Sequence, residues 1–251
     1  QFNPKFGITW NPWPSTTFRG AVFRTLKRAL ITNQTVEPTQ VAGFNQFYDD
    51  SEGAIAWRYG AGVDQKFAKS FYGGMEVSWR DLQVPIQTIP TPAMPFSGVK
   101  EFDWRERMAR AYLYWTPHPW LAFSAEYLYE QFDRDRIYNA GVEQVSTNRV
   151  PVGVSFFHPS GITARLRATY VDQKGLFRPQ NVPLTDPNLY GWENFWVVDA
   201  ALSYRLPKRY GMITAGVKNL FNRSFNYQDM DPLNPTLKPV RMSYVRVTLS
   251  F

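Results

Sequence analysis

The chain has 251 residues, 44% hydrophobic and 17% aromatic, with a formal net charge of +7, which is enough for a sizeable core but indifferent to fold. It contains no cysteine, and that excludes disulfides, thiol chemistry and cysteine-ligated metals. No stretch of eighteen consecutive apolar residues occurs, so a transmembrane helix is excluded and any membrane crossing has to be made by strands.

In chain order, residues 3–12 and 16–26 read as strands around the tight turn Pro12-Trp13-Pro14-Ser15. A long polar stretch, 27–53, separates them from strands at 54–67 and 70–84, joined through Ala68-Lys69-Ser70. In the first of these, Trp57, Tyr59, Ala61 and Val63 alternate with Arg58, Gly60, Gly62 and Asp64; in the second, Met75, Val77 and Trp79 alternate with Glu76, Ser78 and Arg80. This period of two marks strands with two chemically different faces. After the stretch 85–100 come strands at 101–116 and 119–134 about Pro117-His118-Pro119, then 135–146 and strands at 147–158 and 161–173 about His158-Pro159-Ser160-Gly161. Ile162, Ala164, Leu166, Ala168 and Tyr170 alternate there with Thr163, Arg165, Arg167 and Thr169. Beyond 174–193, strands at 194–206 and 210–222 flank Pro207-Lys208-Arg209-Tyr210-Gly211, and the stretch 223–238 leads to the last strand, 239–251.

Most of these roughly eleven strands reach the nine to eleven residues that a tilted bilayer crossing needs. Short turns and long polar connections alternate strictly, as in outer-membrane barrels with short periplasmic turns and long external loops. Aromatics flank both sides. Trp10, Trp13, Phe67, Tyr72, Trp115, Trp120, Phe156, Tyr204 and Tyr210 fall near the short turns, and Trp57, Trp79, Trp104, Tyr129, Tyr170 and Trp196 near the long loops, matching the two interfacial girdles of such barrels. The fold expected is therefore all-β, an antiparallel transmembrane β-barrel wall. An odd strand number beginning on the outer side makes residues 1–251 the expected C-terminal part of a larger barrel, in a bacterial outer membrane.

Three segments carry a family resemblance. Val217-Lys218-Asn219-Leu220-Phe221-Asn222-Arg223-Ser224-Phe225-Asn226-Tyr227 is similar to the penultimate-strand signature of TonB-dependent receptors. Pro239 to Phe251 resembles their last strand, ending on the aromatic Phe251 that barrel-assembly machinery reads, and Asn3 to Trp10 with Thr17 to Arg24 resembles a mid-barrel hairpin. The resemblance implies a wall of about twenty-two strands around an N-terminal plug, and a TonB-type energy-coupling partner.

Arg58, Glu76, Arg80, Glu106, Arg110, Glu126, Arg165, Arg167, Asp199, Arg205 and Arg246 share the polar phase of their strands and are expected to line the lumen. They either guide an anionic solute or contact a plug, or they satisfy one another as cross-strand ladders. Arg107 breaks the apolar pattern of its strand near the outer rim, where it meets lipopolysaccharide phosphate on this reading. His118 and His158 lie in proline turns, away from any outer-rim partner, so no catalytic residue is assigned. Asp49 with Asp50 and Glu52, Asp133 with Asp135, and Asp229 with Asp231 offer oxygen ligands of the kind calcium takes, but aspartate is also a common turn former; no metal or cofactor is assigned. The arginines alternate to one face without interleaved aromatics, so nucleic acid is not an expected partner. The expected function is TonB-dependent uptake through a barrel held in outer-membrane lipid and lipopolysaccharide. A passive or export porin, such as a polysaccharide-secretion barrel fused to periplasmic repeats, and a structural surface-anchoring barrel are the alternatives.

Overall fold

The computed structural model describes residues 2–27, 40–46, 50–87, 98–134, 142–177, 189–225 and 240–250. The strands are β1 (Lys5–Trp13), β2 (Thr16–Leu26), β3 (Gln40–Val41), β4 (Phe44–Asn45), β5 (Ile55–Ala68), β6 (Phe71–Gln87), β7 (Val99–His118), β8 (Leu121–Arg134), β9 (Gln144–Phe157), β10 (Ile162–Phe177), β11 (Leu189–Arg205), β12 (Gly211–Lys218) and β13 (Met242–Leu249). Eleven of them form one antiparallel sheet in the order β1-β2-β5-β6-β7-β8-β9-β10-β11-β12-β13, and β3 with β4 makes a separate hairpin. Every neighbour in the large sheet is also the next long strand in sequence, so it is a pure meander. β1 lies at one edge and β13 at the other.

Several strands outrun the lengths expected from sequence. β6 continues to Gln87, β7 begins at Val99, β10 runs to Phe177 and β11 starts at Leu189, so the expected connections 85–100 and 174–193 are partly strand. The extension has a packing cause at β6, where Leu82 and Val84 cluster with Ala54, Ala56, Ile86 and Trp104. β12 is shorter than the expected 210–222 because Asn219 turns to φ 50° just after Lys218, a left-handed conformation that asparagine tolerates and a strand does not. Irregular register falls at three of the short turns, between Trp10 and Trp13, Lys66 and Ala68, and Trp115 and His118. At Pro151 the β8–β9 pairing skips from Ala125↔Val152 to Leu128↔Arg149 without changing register, since proline has no N–H to contribute to a ladder.

Cross-strand partners share a face, and the register sorts the sheet cleanly. One face carries Phe18, Val63, Met75, Ala111, Tyr127, Val150, Tyr170 and Trp196 in successive strands; it exposes large apolar side chains from Ile8 to Leu249. The other face carries the charged residues. Its buried apolar residues sit toward the long connections in three clusters, two of them capped by Phe44 and Phe225 from segments that fold back onto the sheet.

Candidate functional site

All eleven charged residues expected to share a face do so. The register Gly62↔Glu76↔Arg110 and Arg58↔Arg80↔Glu106 runs through β5, β6 and β7, Tyr112↔Glu126 carries the face into β8, and Arg165↔Ala201 and Arg167↔Asp199 carry it from β10 to β11. Arg205 and Arg246 follow through Met212 and Thr214 of β12. Two aromatics expected in the girdles belong to this polar face instead. Trp104 shares the parity of Glu106; it meets Phe132 edge-on at 5.6 Å and lies under the Arg134 guanidinium. Tyr72 stacks on Tyr114 at 5.3 Å, in line with Gly74 and Glu76.

Across β2 to β9 the polar face is a network of matched ions. Arg19 bonds Asp64 at 2.7 Å and reaches Glu76 at 3.2 Å, crossing above Gly62 of the intervening strand. A Cβ at Gly62 would stand 3.3 Å from the Arg19 guanidinium, so the missing side chain opens the path for this long diagonal contact. Tyr112 donates to Asp64 over Gly74 in the same way. Arg80, with 6% of its side chain exposed, bridges Glu106 at 2.7 Å and Asp50 at 2.6 Å. Arg110 pairs with Glu126, which also accepts from the Tyr114 hydroxyl, and Arg149 pairs with Glu130. Arg19, Asp64, Tyr112, Glu130 and Arg149 belong to this network although the sequence reading did not select them; Asp64, Tyr112 and Glu130 share the parity of a selected residue on their own strand, whereas Arg19 and Arg149 lie on strands with no selected residue and join the face opposite Gly62 and Leu128.

From β10 to β13 the same face is different. Arg165, Arg167, Arg205 and Arg246 are exposed, and among the described residues none has a carboxylate partner. Asp199, the direct cross-strand partner of Arg167, is engaged elsewhere: its carboxylate accepts the Asn219 amide at 2.9 Å. The face is therefore split into a half where Arg19, Arg80, Arg110 and Arg149 hold carboxylates and Arg58 donates to the Asn45 carbonyl and the Ser78 hydroxyl, and a half with four guanidinium groups that have no carboxylate partner among the described residues.

Two chain segments fold onto the polar face. The β3–β4 hairpin turns through Ala42 (φ 46°) and Gly43 (φ 87°) and buries Phe44 to 2% exposure against Ala21 and Phe23. Phe44 lies flat over Gly60, where a Cβ would stand 2.6 Å from the ring. Arg58 donates to the Asn45 carbonyl at 2.6 Å and Arg19 lies over the Phe44 ring at 5.3 Å. The second segment follows β12. The Asn219 side chain accepts the Arg223 amide at 2.8 Å and donates to the Arg223 carbonyl at 2.9 Å, bringing Phe225 onto Phe195 with ring centres 4.1 Å apart.

The remaining expectations divide. Asp50 is held by Arg80, which removes it from the calcium reading; Asp133 accepts from Gln131 at 2.9 Å. Asp49, Asp135, Asp229, Asp231 and the terminal Phe251 lie outside the described residues. Each histidine serves its own turn: His118 Nδ1 accepts the Trp120 amide, and His158 Nδ1 accepts the Ser160 amide.

On the apolar face, polar networks sit at the long-connection end. Tyr127 donates to Asn148, Asn148 to Asp172, and the Trp192 indole to Asp172; Tyr129 donates to Gln131. The Tyr127 and Tyr129 hydroxyls thus reach toward the long connections, while the Trp192 indole, opposite Lys174, reaches back to Asp172. No family model matches the chain, and no curated protein matches it.

Proposed function

We propose that this sheet is part of the wall of a transmembrane barrel in a bacterial outer membrane, with the apolar face on lipid and the polar face on the lumen, and that it serves TonB-dependent uptake of an anionic ligand. The membrane part of the reading is supported by the contrast between faces. On β11 the apolar face runs from Trp196 through Val198, Ala200 and Leu202 to Tyr204, eight residue steps or about 27 Å along the strand. Once tilted, that is close to the roughly 25 Å apolar band of such barrels, with an aromatic at each end.

The observation that carries the ligand class is the set Arg165, Arg167, Arg205 and Arg246, exposed on the polar face without carboxylate partners among the described residues. Structural ladders pair cations with carboxylates, as Arg19, Arg80, Arg110 and Arg149 do between β2 and β9; four cations on one face without such partners attract an anionic solute or the carboxylates of a plug. The TonB-dependent part rests on the resemblance of Asn219 to Tyr227 and of the last strand to that receptor family. Uptake of anionic solutes is the test, compared between wild type and a variant with these four arginines changed to Gln, in hosts with and without a TonB-type partner. The reading expects uptake to fall in the variant and to vanish without the partner. Uptake that persists without the partner but falls in the variant points instead to a porin. One observation favours that second reading: the β3–β4 hairpin lies on the polar face, where a plug would otherwise meet Arg19 and Arg58.

A further inference from the structure

We propose that the groove beside Arg107, on the apolar face, binds the phosphate of an outer-leaflet phosphoglycolipid of the lipid A class; the proposal rests on the membrane reading above. Arg107 stands in the row Tyr59↔Trp79↔Arg107↔Gln131. On one side of that row lie Val77 and Ala109, which are apolar. On the other lie Asp81, Arg105 and Asp133, all charged. Arg107 is therefore at the level where hydrocarbon gives way to head groups.

Its guanidinium is exposed, and among the described residues its one polar contact is a long 3.5 Å hydrogen bond from Nη1 to Gln131. That acceptor is already shared. Gln131 Oε1 takes the Tyr129 hydroxyl at 2.9 Å, while its Nε2 donates to Asp133. Arg105 lies next along the same face, held to Asp81 only at 3.9 Å with both side chains more than half exposed, a pair too weak to neutralise it. Trp79, Tyr129, Val77 and Ala109 line the groove with these arginines and with Asp81, the one carboxylate among the described lining residues that shares their face, and the open groove measures about 550 Å³. A planar guanidinium that makes a single long hydrogen bond among the described residues matches a phosphate oxygen pair, and the apolar floor suits the first methylenes of an acyl chain. An acidic peptide would satisfy the cations but would leave that floor against lipid. A neutral phospholipid would fill the floor but bring its own ammonium to the arginines.

The test is native mass spectrometry of the protein in nanodiscs of neutral phosphatidylcholine carrying either lipid A or the same lipid stripped of its phosphates. Wild type should retain lipid A about tenfold better than the dephosphorylated form, the scale of one charge-assisted bidentate contact. Arg107→Gln should abolish that preference, Arg107→Lys should keep part of it, and Lys69→Gln, in a turn at the opposite end of the strands, should leave it intact. An inserted wild type with no preference, or a full preference retained in Arg107→Gln, overturns the lipid site and leaves the membrane reading standing. A wild type that fails to insert at all overturns both.

Discussion

At Asn219 three requirements meet: a left-handed backbone (φ 50°), a buried position, and a side chain that both accepts from and donates to Arg223. Asparagine meets all three, since it tolerates positive φ and closes local turns with its amide. Asn219→Ala should destabilise the sheet by about 2 kcal/mol through strain and lost hydrogen bonds. Asn219→Gly should cost less, because glycine keeps the backbone and loses only the side-chain bonds; equal losses in denaturant melts would remove backbone strain from the explanation. Arg80 gives a second prediction at this scale. Asp50→Ala removes one of the two carboxylates that a nearly buried guanidinium holds among the described residues, which should cost roughly 3 kcal/mol, whereas Asp133→Ala, at a half-buried position bonded to a neutral amide, should cost about 1 kcal/mol. The residue pairings were only partly legible in the sequence. Nearness to strand ends places Trp104 and Tyr72 in the girdles, yet both share the even parity of Glu76, Glu106 and Arg110; parity is a stricter signal than proximity because one residue of slip reverses the face.

The long strands form from alternation and the short turns from proline and glycine, and both signals are local, so they could be read from sequence. The β3–β4 hairpin could not. Its two-residue strands have no stability of their own; what holds them is Phe44 seated in the space that Gly60 leaves, with Arg58 and Arg19 pinning the turn. These are contacts between distant parts of the chain. Gly43 at φ 87° lets the turn form without side-chain strain. Phe44→Ala should strip about 3 kcal/mol of local stability from the hairpin. Hydrogen exchange should then accelerate at residues 40–46 and stay unchanged in β8 to β10; equal acceleration in both would mean that the hairpin is not an independent layer. The phase of β11 is tested at the same scale. Leu202 and Ser203 are neighbours on opposite faces, and Ser203 bonds Thr214 across to β12. On the proposed reading, Leu202→Arg should cost about 2–4 kcal/mol in a bilayer refolding titration and Ser203→Arg much less. Similar losses would place the apolar face elsewhere than on lipid.

For the molecule as a whole, the meander leaves β1 and β13 at opposite edges of the sheet. An unpaired edge in hydrocarbon costs several kcal/mol per exposed backbone group, so on the membrane reading both edges need a partner strand, either each other or one from elsewhere. The central claim concerns the faces of the sheet. Because the chain has no native cysteine, single spin labels can be introduced without background at Leu202, Val245 and Val247 on one face and at Ser203, Thr214 and Arg246 on the other. In protein reconstituted into bilayers, the account predicts a period-two alternation: the first set reached by molecular oxygen from the lipid, the second by a polar nickel complex from water. Labels on both faces reached equally by the nickel complex, with no alternation along β11 to β13, would contradict it.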